Sequence, residues 1–185
     1  MSPPPSRYDD ELWQLVPDDP DPPPAAVAVF VRALGPVERA LDLGCGDGRL
    51  TAELEGERVT AADVSAVALE RARGRLPAAE LVQLEPDAEL PFADASFDLV
   101  LCAETIEHVR DVQLLLSEIR RVLVPAGELA LTTPANFGFG PSPDPLSPHL
   151  RFFTRRSLRR LLDAMGFDAR SLRRRSGTLL VRATR

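Results

Sequence analysis

Two groups of residues in this chain have types and spacings that could do chemistry. The first is the run Leu41-Asp42-Leu43-Gly44-Cys45-Gly46-Asp47-Gly48. Glycines at 44, 46 and 48 let the backbone turn sharply and approach a ligand closely, just before a predicted helix. A dinucleotide-binding loop would want its third glycine at 49, where Arg49 stands, so a pyrophosphate fits poorly. Asp42 would repel phosphate and could hold a cationic ligand through an amine or a water. Asp63 lies about 20 residues further on, where an acid bonds ribose hydroxyls. Together they describe a nucleoside ligand that is positively charged and carries no phosphate.

The second group is Glu104, Glu107, His108 and, across a Pro/Gly-rich stretch, His149. A helix beginning near 104 would put the first three side chains on one face, since residues three and four apart are neighbours there. Carboxylates and imidazoles together can bind Mg, Mn or another divalent ion, or can orient a substrate and take its proton. The two cysteines, Cys45 and Cys102, are too few for a disulfide framework or a four-thiolate zinc site, and read as small buried thiols.

Composition narrows the field. With 185 residues, 44% hydrophobic and 27% charged, the chain is one ordinary globular domain in size. No apolar run approaches the roughly 18 to 20 residues of a membrane span, and no basic-then-apolar leader opens the chain, so a cytoplasmic protein without a membrane role is expected. All 22 basic residues are arginine, which removes any mechanism that needs a lysine amine. Residues 151–185 hold eleven arginines against Asp163 and Asp168, a balance of +9, while the first 150 residues carry −15. A basic tail on an acidic body could meet an anionic partner, though a solvated helix face and strand surface explain it as simply.

The elements that must position these residues alternate. Eight of 18 prolines precede Ala25, so residues 1–24 read as a flexible Pro-rich arm. Tyr8 and Trp13 within it suggest a short element that docks on the body. Residues 25–185 form the domain proper. A helix over Val27–Leu34 leads to a strand at Ala40–Leu43. A helix carrying Leu50 and Leu54 follows, then a strand at Arg58–Ala62, a helix over 66–75, and strands at Leu81–Leu84 and Phe97–Cys102. Val112, Leu115, Leu116, Ile119, Val122 and Leu123 space as an amphipathic helix. A strand at Glu128–Thr133, a loop over 134–150 long enough for a lid, a helix ending near Met165 and two last strands close the chain. Such alternation indicates an open, mostly parallel sheet with helices on both faces, whose ligand sits beyond the C-terminal strand ends.

Motifs in this order resemble those of class I S-adenosylmethionine-dependent methyltransferases, of the type 11 kind, from about Ala40 to Phe167. They are LDLGCGDGRL, Asp63, PDAELPFADASFDLVLC, ETIEHV, RRVLVPAGELALTTP and HLRFFTRRSLRRLLDAMGF. The resemblance implies a Rossmann-like α/β fold with seven strands, mostly parallel, the last antiparallel. It implies that Asp42, Gly44, Cys45 and Gly46 line the methionine part of S-adenosylmethionine. Asp63 would take both ribose hydroxyls, Val64 would lie against the adenine, Asp87 would bond its amino group, and Ala88 would offer its backbone. Ala103 and Glu104 would border the methyl donor, and S-adenosylhomocysteine would be the product.

The expected activity is methyl transfer to an O, N or S atom of a small-molecule acceptor, with His108, His149 and Glu104 as the catalytic candidates and no metal. Two alternatives stand beside it. The Glu104-x-x-Glu107-His108 spacing also resembles small-RNA terminal 2′-O-methyltransferases, in which such residues hold a divalent metal and RNA is the acceptor. The other alternative is a non-catalytic protein that binds the cofactor.

Overall fold

The computed structural model describes residues 5–17, 20–136 and 149–185. Seven strands make one sheet: β1 (Val37–Leu43), β2 (Gly56–Asp63), β3 (Glu80–Gln83), β4 (Phe97–Ala103), β5 (Leu123–Pro134), β6 (Asp168–Arg175) and β7 (Thr178–Thr184). Their order is β3-β2-β1-β4-β5-β7-β6. The pairs among β1 to β5 are parallel, and β7 runs antiparallel to both β5 and β6. The expected Rossmann-like α/β fold with an antiparallel last strand is what the chain forms. Strand order reverses between β1 and β4, so the cleft of such a sheet opens above Leu43 and Ala103.

Continuous apolar runs in the central strands bury both faces of the sheet. On one face Leu41 and Leu43 of β1, Val100 and Cys102 of β4, and Leu129 and Leu131 of β5 pack under α4 (Val112–Val122) and α5 (Arg155–Ala164). The alternate residues Ala40, Leu99, Leu101 and Ala130 face Val27 and Val31 of α2 (Ala25–Arg32). Leu69 and Ala72 of α3 (Ala66–Arg75) cover Ala61 and Cys45.

Local chemistry starts the helices. Asp111 accepts from the Gln113 and Leu114 amides at 3.0 and 2.9 Å and caps α4. Thr154 and Ser157 form a reciprocal capping box that opens α5. Within the Pro-rich N-terminal segment, Pro5–Leu15 is a helix, α1, packed on α3.

Two expected elements differ. Leu50 and Leu54 flank only a single 3₁₀ turn, Thr51–Glu53. The chain has no room for more, because Leu54 is already extended and Glu55 accepts from the Val37 amide at 2.9 Å to begin the pairing of β2. Nor does a helix begin near 104. Glu104 has a φ of +51°, its amide extends the strand edge by bonding the Thr132 carbonyl at 3.0 Å, and residues 106–108 are a turn. Of the expected 134–150 lid, residues 137–148 lie outside the described residues. None of the described helices is long and apolar enough to cross a membrane.

Candidate active site

The glycine loop leaves β1 with positive φ at Gly44 (+78°) and Gly46 (+55°), a region glycine enters without strain. Close neighbours add a second reason for glycine. A Cβ on Gly44 would collide with the Thr105 side chain, and one on Gly46 would lie 2.6 Å from the Trp13 ring. The loop is thus pressed between the β4 exit and α1.

Asp63 ends β2 almost fully buried. Its Oδ2 accepts from the Gly46 amide at 2.8 Å and its Oδ1 from the Ser65 amide at 2.9 Å. Burial pushes its pKa up, while these two amides and that of Val64 oppose the shift. Each carboxylate oxygen keeps a lone pair, the geometry two vicinal hydroxyls would use. Asp42 is buried behind the loop, where Thr51 donates to its Oδ2 at 2.6 Å. Burial lifts Asp42 to about 7. Its bond to Thr51 makes it a support for the loop as well as a charge near the ligand. Cys45 is buried, and burial together with Asp42 and Asp63 pushes its thiol far above the ordinary value, so it is no nucleophile. Cys102 is buried and raised in the same way.

Val64 follows Asp63 half-buried, and its carbonyl accepts from Gln83 Nε2 at 3.3 Å. Asp87, at φ +54°, and Ala88 are exposed on the loop after β3. Asp63, Asp10 and Asp87 all act electrostatically on Asp9 of α1, and Arg110 opposes them. Burial, then Asp63, lift Asp9 to about 6.

α1 brings residues to this cleft that the sequence reading did not assign. Asp10 Oδ1 accepts from the Ser65 hydroxyl at 2.7 Å and from the Val67 amide at 3.2 Å. A carboxylate there completes the N-terminus of α3, where dipole and free amides favour negative charge. Arg71 lies over the Trp13 ring at 5.9 Å and donates to the Val16 carbonyl at 3.0 Å. The Trp13–Tyr8 island signalled an element that docks. Nothing in the sequence marked Asp10, whose partners lie 55 and 57 positions away.

Beyond β4 the second group assembles, though without a helix. Ala103 is buried at the strand end. Glu104 accepts from the Thr132 hydroxyl at 2.7 Å, and Glu107 accepts from Thr133 at 2.9 Å. Both carboxyls are thus held by the two threonines ending β5, another pair of partners the sequence did not reveal. Burial, reinforced by Glu104, lifts Glu107 to about 8. Its Oε1 is buried without a hydrogen-bond partner among the described residues. His108 Nε2 stands 4.0 Å from that oxygen, and the His149 ring lies against His108, tilted by 58°, with centroids 4.8 Å apart. Leu150 donates its amide to the Glu107 carbonyl at 2.8 Å, which tethers His149. Burial depresses the His149 pKa, so this imidazole is neutral near pH 7 and able to accept a proton.

A mostly parallel sheet that reverses between β1 and β4, with a glycine turn over one strand end and a buried acid on the next, defines a Rossmann-like α/β protein. Residues 41–131 match the family described as a methyltransferase domain. A Synechocystis protein named an uncharacterized methyltransferase is 34% identical over 157 residues, covering 81% of this chain and 71% of that protein. A probable S-adenosylmethionine-dependent methyltransferase of Mycolicibacterium smegmatis is 36% identical, covering 69% of this chain and 51% of its own length. The chain belongs to the class I S-adenosylmethionine-dependent methyltransferases. It spans about half the length of that mycobacterial relative. Among solved structures, a Bacillus halodurans putative methyltransferase superposes with a TM-score of 0.73 at 17% identity, covering 87% of this chain and 99% of the other. The [4+2]-cyclase SpnF superposes with a TM-score of 0.66 at 24% identity, covering 89% of this chain and 60% of its own, so the fold by itself does not fix the chemistry.

Proposed function

We propose that this chain transfers the methyl group of S-adenosylmethionine to an O, N or S atom of a small-molecule acceptor. The observation that carries the reading is the placement of two sites around one reversal of strand order. Asp63 is fixed by the Gly46 and Ser65 amides on the β1–β2 side. A neutral imidazole and two threonine-held carboxyls stand beyond β4 and β5. A relative named trans-aconitate 2-methyltransferase, 36% identical over 56% of this chain, supports a small acceptor.

The bound cofactor would supply a methyl group already activated by the sulfonium. The protein's part is then proximity, alignment and a place for the acceptor's proton. Asp42, Gly44, Cys45, Gly46, Asp63, Val64, Asp87 and Ala88 surround the cofactor's space in this reading. Ala103 and Glu104 border the reacting methyl. His149, neutral near pH 7, accepts the proton of a hydroxyl or amine, with the His108 ring tilted against it and Glu104 bounding the same side. A panel of acceptors scored by S-adenosylhomocysteine formation tests this directly. Cofactor binding with no turnover of any acceptor would instead make the chain a binding protein.

A second reading has a specific observation behind it. One ligand atom each from Glu107, His108 and His149 lies within 4.8 Å of the others, and Glu107 Oε1 is the orphaned buried atom. A divalent ion would satisfy that oxygen and would suit an N,N,O donor set. Against it, Glu107 at about 8 is protonated at neutral pH and must lose that proton to ligate. Activity unchanged by chelator supports the proton-accepting imidazole. Activity lost to chelator and restored by Mg or Mn supports the metal, and with it an RNA ribose acceptor.

A further inference from the structure

Helical periodicity sets the inner face of α1. Asp9, Asp10, Leu12, Trp13 and Val16 are half-buried, while Glu11, Gln14 and Leu15 are exposed. Asp9 and Trp13, four residues apart, are neighbours on that inner face. Trp13 is pressed on Gly46, whose amide bonds Asp63, and Asp10 is bonded to Ser65, two residues after Asp63. These two anchors hold Asp9 at the end of β2, and Asp63 is the charge that acts on it most. The chain after α1 is tied down independently of Asp9. Arg71 donates to the Val16 and Pro17 carbonyls at 3.0 and 3.3 Å, and Arg49 to the Pro20 carbonyl at 3.4 Å.

Docking accounts for Trp13 and Asp10 but not for Asp9. The Asp9 carboxyl makes no hydrogen bond or ion pair with any described residue. Burial destabilises its charge first, then Asp63, Asp10 and Asp87, with Arg110 opposing them. At about 6 it is nevertheless ionised at pH 7. A half-buried carboxylate beside like charges costs stability that an alanine would not, and an alanine would suit the helix better. A cation entering the same space would offset that cost.

We propose that Asp9 selects the cofactor by charge, favouring S-adenosylmethionine with its sulfonium over the product S-adenosylhomocysteine, whose sulfur is neutral. The inference rests on the methyltransferase reading and deepens it. In the transfer, the acceptor's lone pair forms the new bond to the methyl carbon, and the electron pair of the S–CH3 bond returns to sulfur. The cofactor loses its positive charge, and the acceptor's proton carries that charge to His149. Before transfer the cation offsets the repulsion between Asp9 on α1 and Asp63 on β2. Afterwards that repulsion returns, and α1 loosens its hold on the product. By linkage, whatever closure of α1 gains from the cation, binding of the cation gains from closure.

The experiment titrates three ligands into the full chain by calorimetry. They are S-adenosylmethionine, S-adenosylhomocysteine and sinefungin, an analogue with an ammonium where the sulfonium stands. The same titrations follow for Asp9→Asn, which keeps the shape and removes the charge, and for Asp9→Glu, which keeps the charge. Asp9→Asn should weaken the two cationic ligands at least about fivefold and S-adenosylhomocysteine by less than about twofold, and Asp9→Glu should retain the preference. Equal weakening of all three would make Asp9 a docking residue, and no weakening would leave it without a role; either overturns the proposal. A full chain that binds none of the three would fail the methyltransferase reading and the proposal together, whereas an unchanged ratio in Asp9→Asn fails the proposal alone. Trp13 is the only tryptophan of the chain, so its quenching by acrylamide reads α1 in the unsubstituted protein even where a variant does not fold. At saturation the two cationic ligands should protect Trp13 more than S-adenosylhomocysteine does. Equal quenching with all three would overturn the proposal.

Discussion

The Trp13 ring lies against Gly46, so close that a Cβ there would approach it to 2.6 Å. An aromatic side chain from α1 thus forms the outer wall of the loop that should hold the cofactor's methionine part. Arg71 backs the ring, and Asp10 fastens the same helix to the start of α3. We propose that residues 1–24 are an arm closing the cofactor cleft and residues 25–185 the methyltransferase domain. Deleting residues 1–22 should leave a cooperative thermal transition and weaken S-adenosylmethionine binding severalfold. Loss of the transition, or binding as tight as in the full chain, would assign the arm another role.

Glu107 gives the protein a pH signature. Its carboxyl is lifted from 4.5 to about 8, so between those values the folded protein keeps a proton that the unfolded chain has lost. Its contribution therefore makes stability fall as pH rises through that window. Asp42 at about 7 and Asp9 at about 6 act in the same direction over narrower ranges. Glu107→Gln cannot ionise, so its melting temperature should drop less than that of the unsubstituted protein between pH 5 and 8.5. Parallel melting curves for the two proteins would contradict the burial argument.

The imidazole pair should separate chemistry from cofactor binding. His149→Ala should lower kcat by roughly a hundredfold, the lower end of what a positioned proton acceptor contributes. S-adenosylmethionine affinity should stay within about twofold, because His149 stands beside His108 after β4, whereas Asp63 ends β2. Since burial depresses its pKa, kcat/KM should level off at a pH below the ordinary imidazole value. An unchanged kcat in the variant would remove His149 from the mechanism.

Arg121 should matter for folding alone. It bonds Glu118 at 2.9 and 2.7 Å, Asp94 at 2.8 Å, and the Phe92 and Leu90 carbonyls at 2.8 and 2.9 Å, pinning the loop before β4 to α4. Losing these bonds in Arg121→Ala should destabilise the protein by about 2 kcal/mol, less than a fully buried pair because the guanidinium is partly exposed. Denaturant unfolding measures it, and a change below about 0.5 kcal/mol would contradict the assignment.

What could be read from the sequence was what is written within a few adjacent positions. The glycine run around Gly44 and Gly46, the apolar strands and the α4 periodicity are local patterns, and the structure places them as read. Asp63 was legible because its distance from the loop is set by one βαβ crossover, even though the expected helix between them shrank to a 3₁₀ turn. Thr132 and Thr133 were not, because they hold Glu104 and Glu107 only once β5 lies beside β4, 28 and 26 positions away. The helix expected at 104 failed for a related reason: an amide bond to Thr132 and the positive φ of Glu104 keep the chain on the strand edge. Asp10 joins Ser65 through tertiary docking that no periodicity announces.

The central claim is that Asp63, held by the Gly46 and Ser65 amides, receives the ribose of S-adenosylmethionine. Titration calorimetry of the cofactor into the full chain and into Asp63→Ala tests it most directly. Each charged hydrogen bond is worth about 1.5 to 3 kcal/mol, so the full chain should bind with one site and the variant at least roughly tenfold more weakly. Equal affinity for the two proteins, with both folded by their melting transitions, would contradict the site.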